Sequence, residues 1–232
     1  MIISNQVNQL DSMYPAFNHM LNAGDELQFS YECKWSSLYG YSFGSNKIKI
    51  GDRVYYLEEG QYFSLFCGEN IPEFDINSKL FLVVRLGYKC QNTMGWVEKQ
   101  GRLSYIDGCT DSLLIYPPRM GDPSMSLLYF PGNVEQTKHL HPSIRIGCVI
   151  DGSGWADYWD GAGYHTVKLQ AGTNFCLEEN EMHRFRTETL KNTETYNDDY
   201  VFGMTVIAWH PDGDWGPTDH NHTMLNRTYI KQ

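Results

Sequence analysis

Long apolar runs are missing from this sequence. The densest stretch, Leu80 to Leu86, falls far short of the roughly 18 residues that a membrane-spanning helix needs, and it carries Arg85. Basic residues are scarce as well: 18 Lys and Arg stand against 28 Asp and Glu, a formal net charge of −10. That balance excludes the electrostatic footprint of a nucleic-acid binder and a polybasic grip on a membrane. No Cys-x-x-Cys pair occurs among Cys33, Cys67, Cys90, Cys109, Cys148 and Cys176, so neither a zinc knuckle nor a thioredoxin-type site is encoded. Scattered through 232 residues, these six read as small buried hydrophobes rather than a disulfide framework. Residues 1–17 have no basic start followed by an apolar stretch. A secretory signal is therefore not expected, the cytoplasm is the expected compartment, and the acceptor patterns at Asn221 and Asn226 carry no weight. A phosphate-cradling Gly-rich loop with Lys and a local nucleophile–His–Asp signature are both absent.

What is present is a folded composition: 41% hydrophobic, 14% aromatic and 20% charged. The apolar stretches are short, rich in Tyr, Phe, Val and Ile, and end at Gly, Asn, Asp or Pro. Examples are Val54 to Leu57, Tyr62 to Phe66, Leu127 to Phe130, Ile144 to Ile150, Tyr164 to Leu169 and Tyr200 to Trp209. Turn signals such as Gly51-Asp52, Glu59-Gly60, Asp151-Gly152 and Asp160-Gly161 separate them, which predicts an all-β, antiparallel sandwich or barrel with little helix. The length suits one large β domain or two of about half the size.

Sliding the sequence against itself by 112 positions aligns Gly40 with Gly152, Leu57 with Leu169, Gly60 with Gly172 and Phe63 with Phe175. Three of these frame one hairpin and strand, Leu-x-x-Gly-x-x-Phe. A duplicated β unit follows, with its joint near Gly108 to Asp122.

Chemistry concentrates between Gly132 and Thr187. His139-x-His141 precedes a β run, and His183 opens a later one. Strand side chains alternate faces, so an unbroken strand puts His139, His141 and Arg145 together, while His183, Phe185 and Thr187 share a face opposite Arg184 and Arg186. Three neutral imidazoles with open positions suit Fe(II), and also Zn, Mn, Ni, Co or Cu.

These residues resemble the two motifs of the cupin superfamily. The first, G-x5-H-x-H-x3–4-E-x6-G, reads here as Gly132, His139, His141, Arg145 and Gly152, with one extra residue before His139. The second, G-x5-P-x-G-x2-H-x3-N, reads as Gly172, Glu178, Asn180, His183 and Thr187, with every spacing kept. Arg145 replaces the acidic ligand of the first motif, so what remains is similar to the three-His sites of cupin-type dioxygenases. The resemblance implies double-stranded β-helix barrels in two tandem copies. Residues 1–111 would form a degenerate barrel in which Leu27, Phe29, Cys33 and Ile71 stand where His139, His141, Arg145 and His183 stand in residues 112–232.

It further implies one divalent metal on His139, His141 and His183, with Fe(II) favoured and O2 as co-substrate. A guanidinium stays charged in a protein, so Arg145 would hold a small anionic organic substrate, with Phe185, Thr187 and Tyr129 lining the cavity. The other use of Arg145 is a structural salt bridge to Glu135 or Glu178. Because cupins host many chemistries, a non-oxidative lyase or sugar isomerase or epimerase using Zn, Mn or Ni stays open. So does a non-catalytic small-molecule-binding cupin. Pairing of barrel faces makes a homodimer an expected assembly. The stretch from His210 to His222, with Asp212, Asp214, Asp219 and His220, reads as a solvated loop that could close over the barrel mouth, bringing His210 or Trp209 near substrate. Glu179 and Glu181 are expected to be exposed in the turn before His183.

Overall fold

A computed structural model describes residues 1–10, 13–27, 29, 34–188 and 203–213. The strands of the first part are β1 (Ile2–Ile3), β2 (Gln6–Gln9), β3 (Ala16–Leu21), β4 (Ser37–Ser42), β5 (Asn46–Ile50) and β6 (Arg53–Leu57). They continue with β7 (Gln61–Phe66), β8 (Glu73–Ile76), β9 (Leu80–Arg85), β10 (Thr93–Trp96), β11 (Leu103–Ser104) and β12 (Thr110–Ile115). The remainder are β13 (Ser124–Phe130), β14 (Arg145–Trp159), β15 (Tyr164–Gln170), β16 (Asn174–Leu177), β17 (His183–Arg186) and β18 (Met204–His210). Among the described residues the helical content is one 3₁₀ turn, Ile106–Gly108. The fold is all-β and antiparallel, as the short aromatic and β-branched runs require.

A six-stranded sheet runs β10-β7-β4-β9-β3-β2, and β6-β5-β8 form a three-stranded one. A larger sheet runs β1-β16-β14-β18-β13-β12-β11, with β15 and β17 added along the far half of the long strand β14. The central strand β9 reads Leu-Phe-Leu-Val-Val-Arg and is buried on both faces, between β4 and β3. Gly60, at a predicted turn, and Gly172, at the matching position of the 112-residue offset, take left-handed φ of 82° and 86°, a conformation that costs an L side chain about 1–2 kcal/mol.

Three cores result. One lies between the sheets, where Met125, Leu127, Ile146, Cys148, Ile207 and Trp209 meet Tyr39, Tyr41, Phe81 and Val83. Fully burying each large side chain contributes about 1.5–3 kcal/mol, far more than a surface ion pair. The second core fills the first half with Leu38, Ile48, Leu57, Phe63, Leu65 and Leu82. Leu27 and Phe29 pack against it, whereas Ile71 is 41% exposed and Cys33 lies outside the described residues. The third core, with Phe130, Val149, Phe175, Phe185 and Val206, occupies the second half.

Phe63 pairs across the sheet with Gly40, and Phe175 with Gly147. A methyl group on either glycine would fall 2.6 Å or 2.3 Å from the facing ring, so each ring lies flat against bare backbone. The partner of Phe175 is thus Gly147, five positions before the Gly152 that the 112-residue offset matches to Gly40. Besides the core between the sheets, β1 extends the larger sheet through β16, and Asn18 Nδ2 donates to Asn174 Oδ1 at 2.8 Å in full burial. Cys90, Cys109, Cys148 and Cys176 are buried free thiols, and burial pushes Cys90 and Cys109 up to about 11 and Cys176 to about 12. They are inert hydrophobes at neutral pH. No helix among the described residues is long and apolar enough to cross a membrane.

Candidate metal centre

His183 opens β17, which pairs with the far half of β14 through Tyr158↔His183 and Ala156↔Phe185. Alternation sends His183 and Phe185 inward, at 1% and 5% exposure. Arg184 and Arg186 point outward, where their Nε atoms donate to Asp157 Oδ2 at 2.9 and 3.3 Å and Arg184 also pairs with Glu135. The strand expected through His139 and His141 is not continuous, because β14 begins at Arg145. His139 instead makes an isolated antiparallel bridge with His183. The His141 carbonyl accepts the Asn180 N–H at 2.8 Å. Asn180, at the glycine position of the second motif, has φ of 57°, a region that Asn tolerates better than most side chains.

The three rings converge. Their ligand atoms lie within 4.8 Å of one another, and the ring centroids are 4.5, 5.1 and 5.2 Å apart. His139 Nδ1 is 2.8 Å from the Thr137 carbonyl, and His183 Nδ1 is 2.8 Å from the Glu181 carbonyl. A carbonyl only accepts, so each Nδ1 carries the proton and each Nε2 presents a lone pair, the arrangement that orients imidazole ligands. The His183 Nε2 is buried without a hydrogen-bond partner. Burial, reinforced by Arg145, pushes His141 down to about 2, and burial pushes His183 down to about 4. Both rings are neutral at pH 7, the form that a metal requires. The donor set fits one divalent ion.

Behind this set, Glu181 is buried rather than exposed: its carboxylate accepts the Glu178 N–H at 2.9 Å and pairs with the Met1 ammonium. The His139 and His141 rings open onto a cavity of about 280 Å³ whose wall also includes Arg145 and Phe185. Asp111 and Gln136, which no sequence signal marked, also line it, as does His210. Arg145 is 2% exposed. Its Nη1 donates to the carbonyls of Ser143 and Ile144 at 3.2 and 3.1 Å and to the Ser143 hydroxyl, and lies 3.5 Å from Asp212 Oδ1. Among the described residues it pairs with Asp212 rather than with Glu135 or Glu178. Asp212 also accepts the Ser143 hydroxyl at 2.6 Å. Asp214, Asp219, His220 and His222 lie outside the described residues.

Tyr129 and Thr187 stand elsewhere than in this wall. On β13, Leu128 and Phe130 reach the cavity, and Tyr129 between them takes the other face. Thr187 follows β17; its hydroxyl donates to the Pro131 carbonyl and accepts the Val134 N–H at 3.1 Å, fastening the segment that leads to His139.

No protein-family model matches the sequence, and no curated protein does. Solved structures do resemble it. Protein Ylba from E. coli superposes with a TM-score of 0.59 at 14% identity, over 92% of this chain and 86% of that one. A cupin 2 conserved barrel domain protein from Leptotrichia buccalis gives 0.54 at 19% identity, over 87% and 86%. Bacillus subtilis oxalate decarboxylase, with Mn(II) centres, gives 0.54 at 13% identity, over 91% and 73%. The chain has the cupin barrel fold. At these identities the likeness is one of fold.

Proposed function

We propose that this chain is a metal-dependent cupin enzyme, a mononuclear non-haem Fe(II) dioxygenase acting on a small anionic organic substrate. The observation that carries the reading is the meeting of three imidazoles, proton-locked at Nδ1 for His139 and His183, two of which, His139 and His141, share a cavity wall with a buried guanidinium. A divalent ion on His139, His141 and His183 would supply Lewis acidity and, as Fe(II), redox access to O2; Mn, Zn, Ni, Co or Cu suit the same set. Arg145 presents a fixed positive charge in a low-dielectric wall, where it orients a carboxylate and offsets negative charge that develops during reaction. Phe175, Leu177 and Phe185 supply the apolar wall that keeps water away. Tyr129 and Thr187 act at one remove, as packing and loop-fastening residues rather than substrate contacts.

We read the chain as a bicupin, with residues 1–111 a metal-free barrel and residues 112–232 the metal-binding one. Strand order supports this: β7-β4-β9-β3-β2 in one sheet parallels β16-β14-β18-β13-β12 in the other, and Phe63 on Gly40 parallels Phe175 on Gly147. The reading places the protein in the cytoplasm and allows a homodimer through barrel faces, without nucleic-acid or membrane partners.

Elemental analysis of protein purified without chelators, with His139→Ala as control, tests the metal. Oxygen uptake tests the chemistry: a colourless zinc protein that consumes no oxygen removes the dioxygenase reading. One observation favours a non-oxidative lyase or isomerase, namely that the oxalate decarboxylase sharing this fold carries Mn(II). A non-catalytic binding role wins if the wild type takes up no metal and Arg145→Glu creates uptake.

A further inference from the structure

Arg145 does not stand alone. It opposes Leu177 on β16; its neighbour Ile146 opposes Trp209 on β18, which brings His210 beside Arg145; and His210 opposes Ser124 on β13. Alternation sends all three inward: Leu128 and Phe130, of the same parity as Ser124, and Ala208, of the same parity as His210, line the cavity. One level deeper the sequence of side chains is Gly147, Ala208 and Ser126, all small. Ser124 and Ser126 are 0% exposed, and neither hydroxyl has a hydrogen-bond partner. A buried hydroxyl left unsatisfied is costly, and two side by side on one strand face are an unusual expense for a fold to carry.

We infer that the substrate carboxylate is held by the three-strand row Arg145, His210 and Ser124, with Ser126 reaching it from the next level. The inference rests on the reading that the cavity takes a small anion, and it assigns specificity to two serines. The planar guanidinium fork matches a carboxylate. Neighbouring strands stand about 4.8 Å apart, so the side chains of the row converge from about 10 Å of sheet onto one group. The Phe175 ring fills the space over Gly147, so the room for the group lies over Ala208, between Gly147 and Ser126. The hydroxyls donate to an arriving acceptor, and a charged carboxylate beside Arg145 takes stronger hydrogen bonds than the carbonyl of a neutral amide does.

The test is calorimetric titration of metal-loaded and metal-stripped protein with acetate, malonate and succinate, and with the corresponding neutral amides. The wild type binds at least one carboxylate about tenfold or more tightly than its amide. Ser124→Ala and Ser126→Ala each lose about tenfold in carboxylate affinity, the scale of one hydrogen bond to a charged group. Both keep their metal content, and their melting temperatures do not fall, because the deleted hydroxyl had no partner. Unchanged carboxylate affinity in both variants overturns the row, whatever the melting temperature, and shows the serines to be structural. Failure of any carboxylate to bind metal-loaded wild type sinks the anion reading and the row together. If metal uptake is absent but stripped protein still discriminates, the metal reading falls and the row stands.

Discussion

His139 and His183 hydrogen-bond to each other through their backbones in both directions, each N–O distance being 2.9 Å. The spacing of two candidate ligands is therefore set by a rung of β-ladder and not by side-chain rotamers. Only ring rotation remains to be fixed, and the Thr137 and Glu181 carbonyls fix it. The centre is preformed, which lowers the ordering cost of metal capture.

Removing one ring should empty the site without unfolding the chain. His183→Ala is expected to drop metal content from one per chain to background by elemental analysis. His165→Ala, at an exposed ring held by Asp160 at 2.7 Å, should leave it unchanged.

Acid should weaken the metal-free protein through these same rings. Their folded-state pKa values, about 2 for His141 and about 4 for His183, lie below the ordinary 6.5. The unfolded chain therefore binds protons first, near pH 6.5, while the folded chain resists. Stability is full above about pH 6.5 and falls as pH drops toward 4. Thermal melts between pH 7.5 and 4 should show this slope, and His141→Ala with His183→Ala should flatten it; an equally steep slope in the double variant refutes the assignment.

Gly147→Ala sets a methyl 2.3 Å from the Phe175 ring in a packed core. A loss of about 1–3 kcal/mol in urea unfolding is expected. Phe175→Leu in the same chain should recover part of it, since the ring is what the methyl strikes.

Asp157→Ala removes the acceptor shared by Arg184, Arg186 and the Thr166 hydroxyl, the last at 2.6 Å. We expect about 1–3 kcal/mol of destabilisation. Arg184 adjoins His183 on β17, so metal affinity should fall as well, by competition with a chelator. Unaltered affinity would separate the outer face of β17 from the centre.

Asn180→Ala should cost about 1 kcal/mol at φ of 57°, and Asn180→Gly close to nothing. Denaturant midpoints of the two variants decide it.

Much of this was legible in the chain. The imidazoles could be found because two sit two residues apart and the third is framed by turn residues at fixed distances. The all-β character followed from short runs and their punctuation. Parity was harder. Tyr129 precedes the motif but faces away, and only the register of β13 against β18 puts Leu128 and Phe130 inside. Asp111 and His210 enter the wall from strands whose pairing depends on long-range contacts that no local pattern encodes. Gln136 sits in irregular backbone, where its Oε1 accepts the Phe185 N–H at 3.2 Å, and alternation predicts nothing there. Ile71, which the offset matches to the buried His183, is 41% exposed, so a uniform offset does not carry burial from one half to the other.

The apolar seam between the sheets has a last consequence. No described residue before Tyr105 lines the cavity, yet Tyr39, Tyr41, Phe81 and Val83 back the very strands that carry Arg145, Ser124 and His210. The first half thus buttresses the strands of the cavity wall. Severing it would leave the half that carries the three imidazoles with a greasy wall open to water, so the cavity keeps its shape only while the other half stays docked.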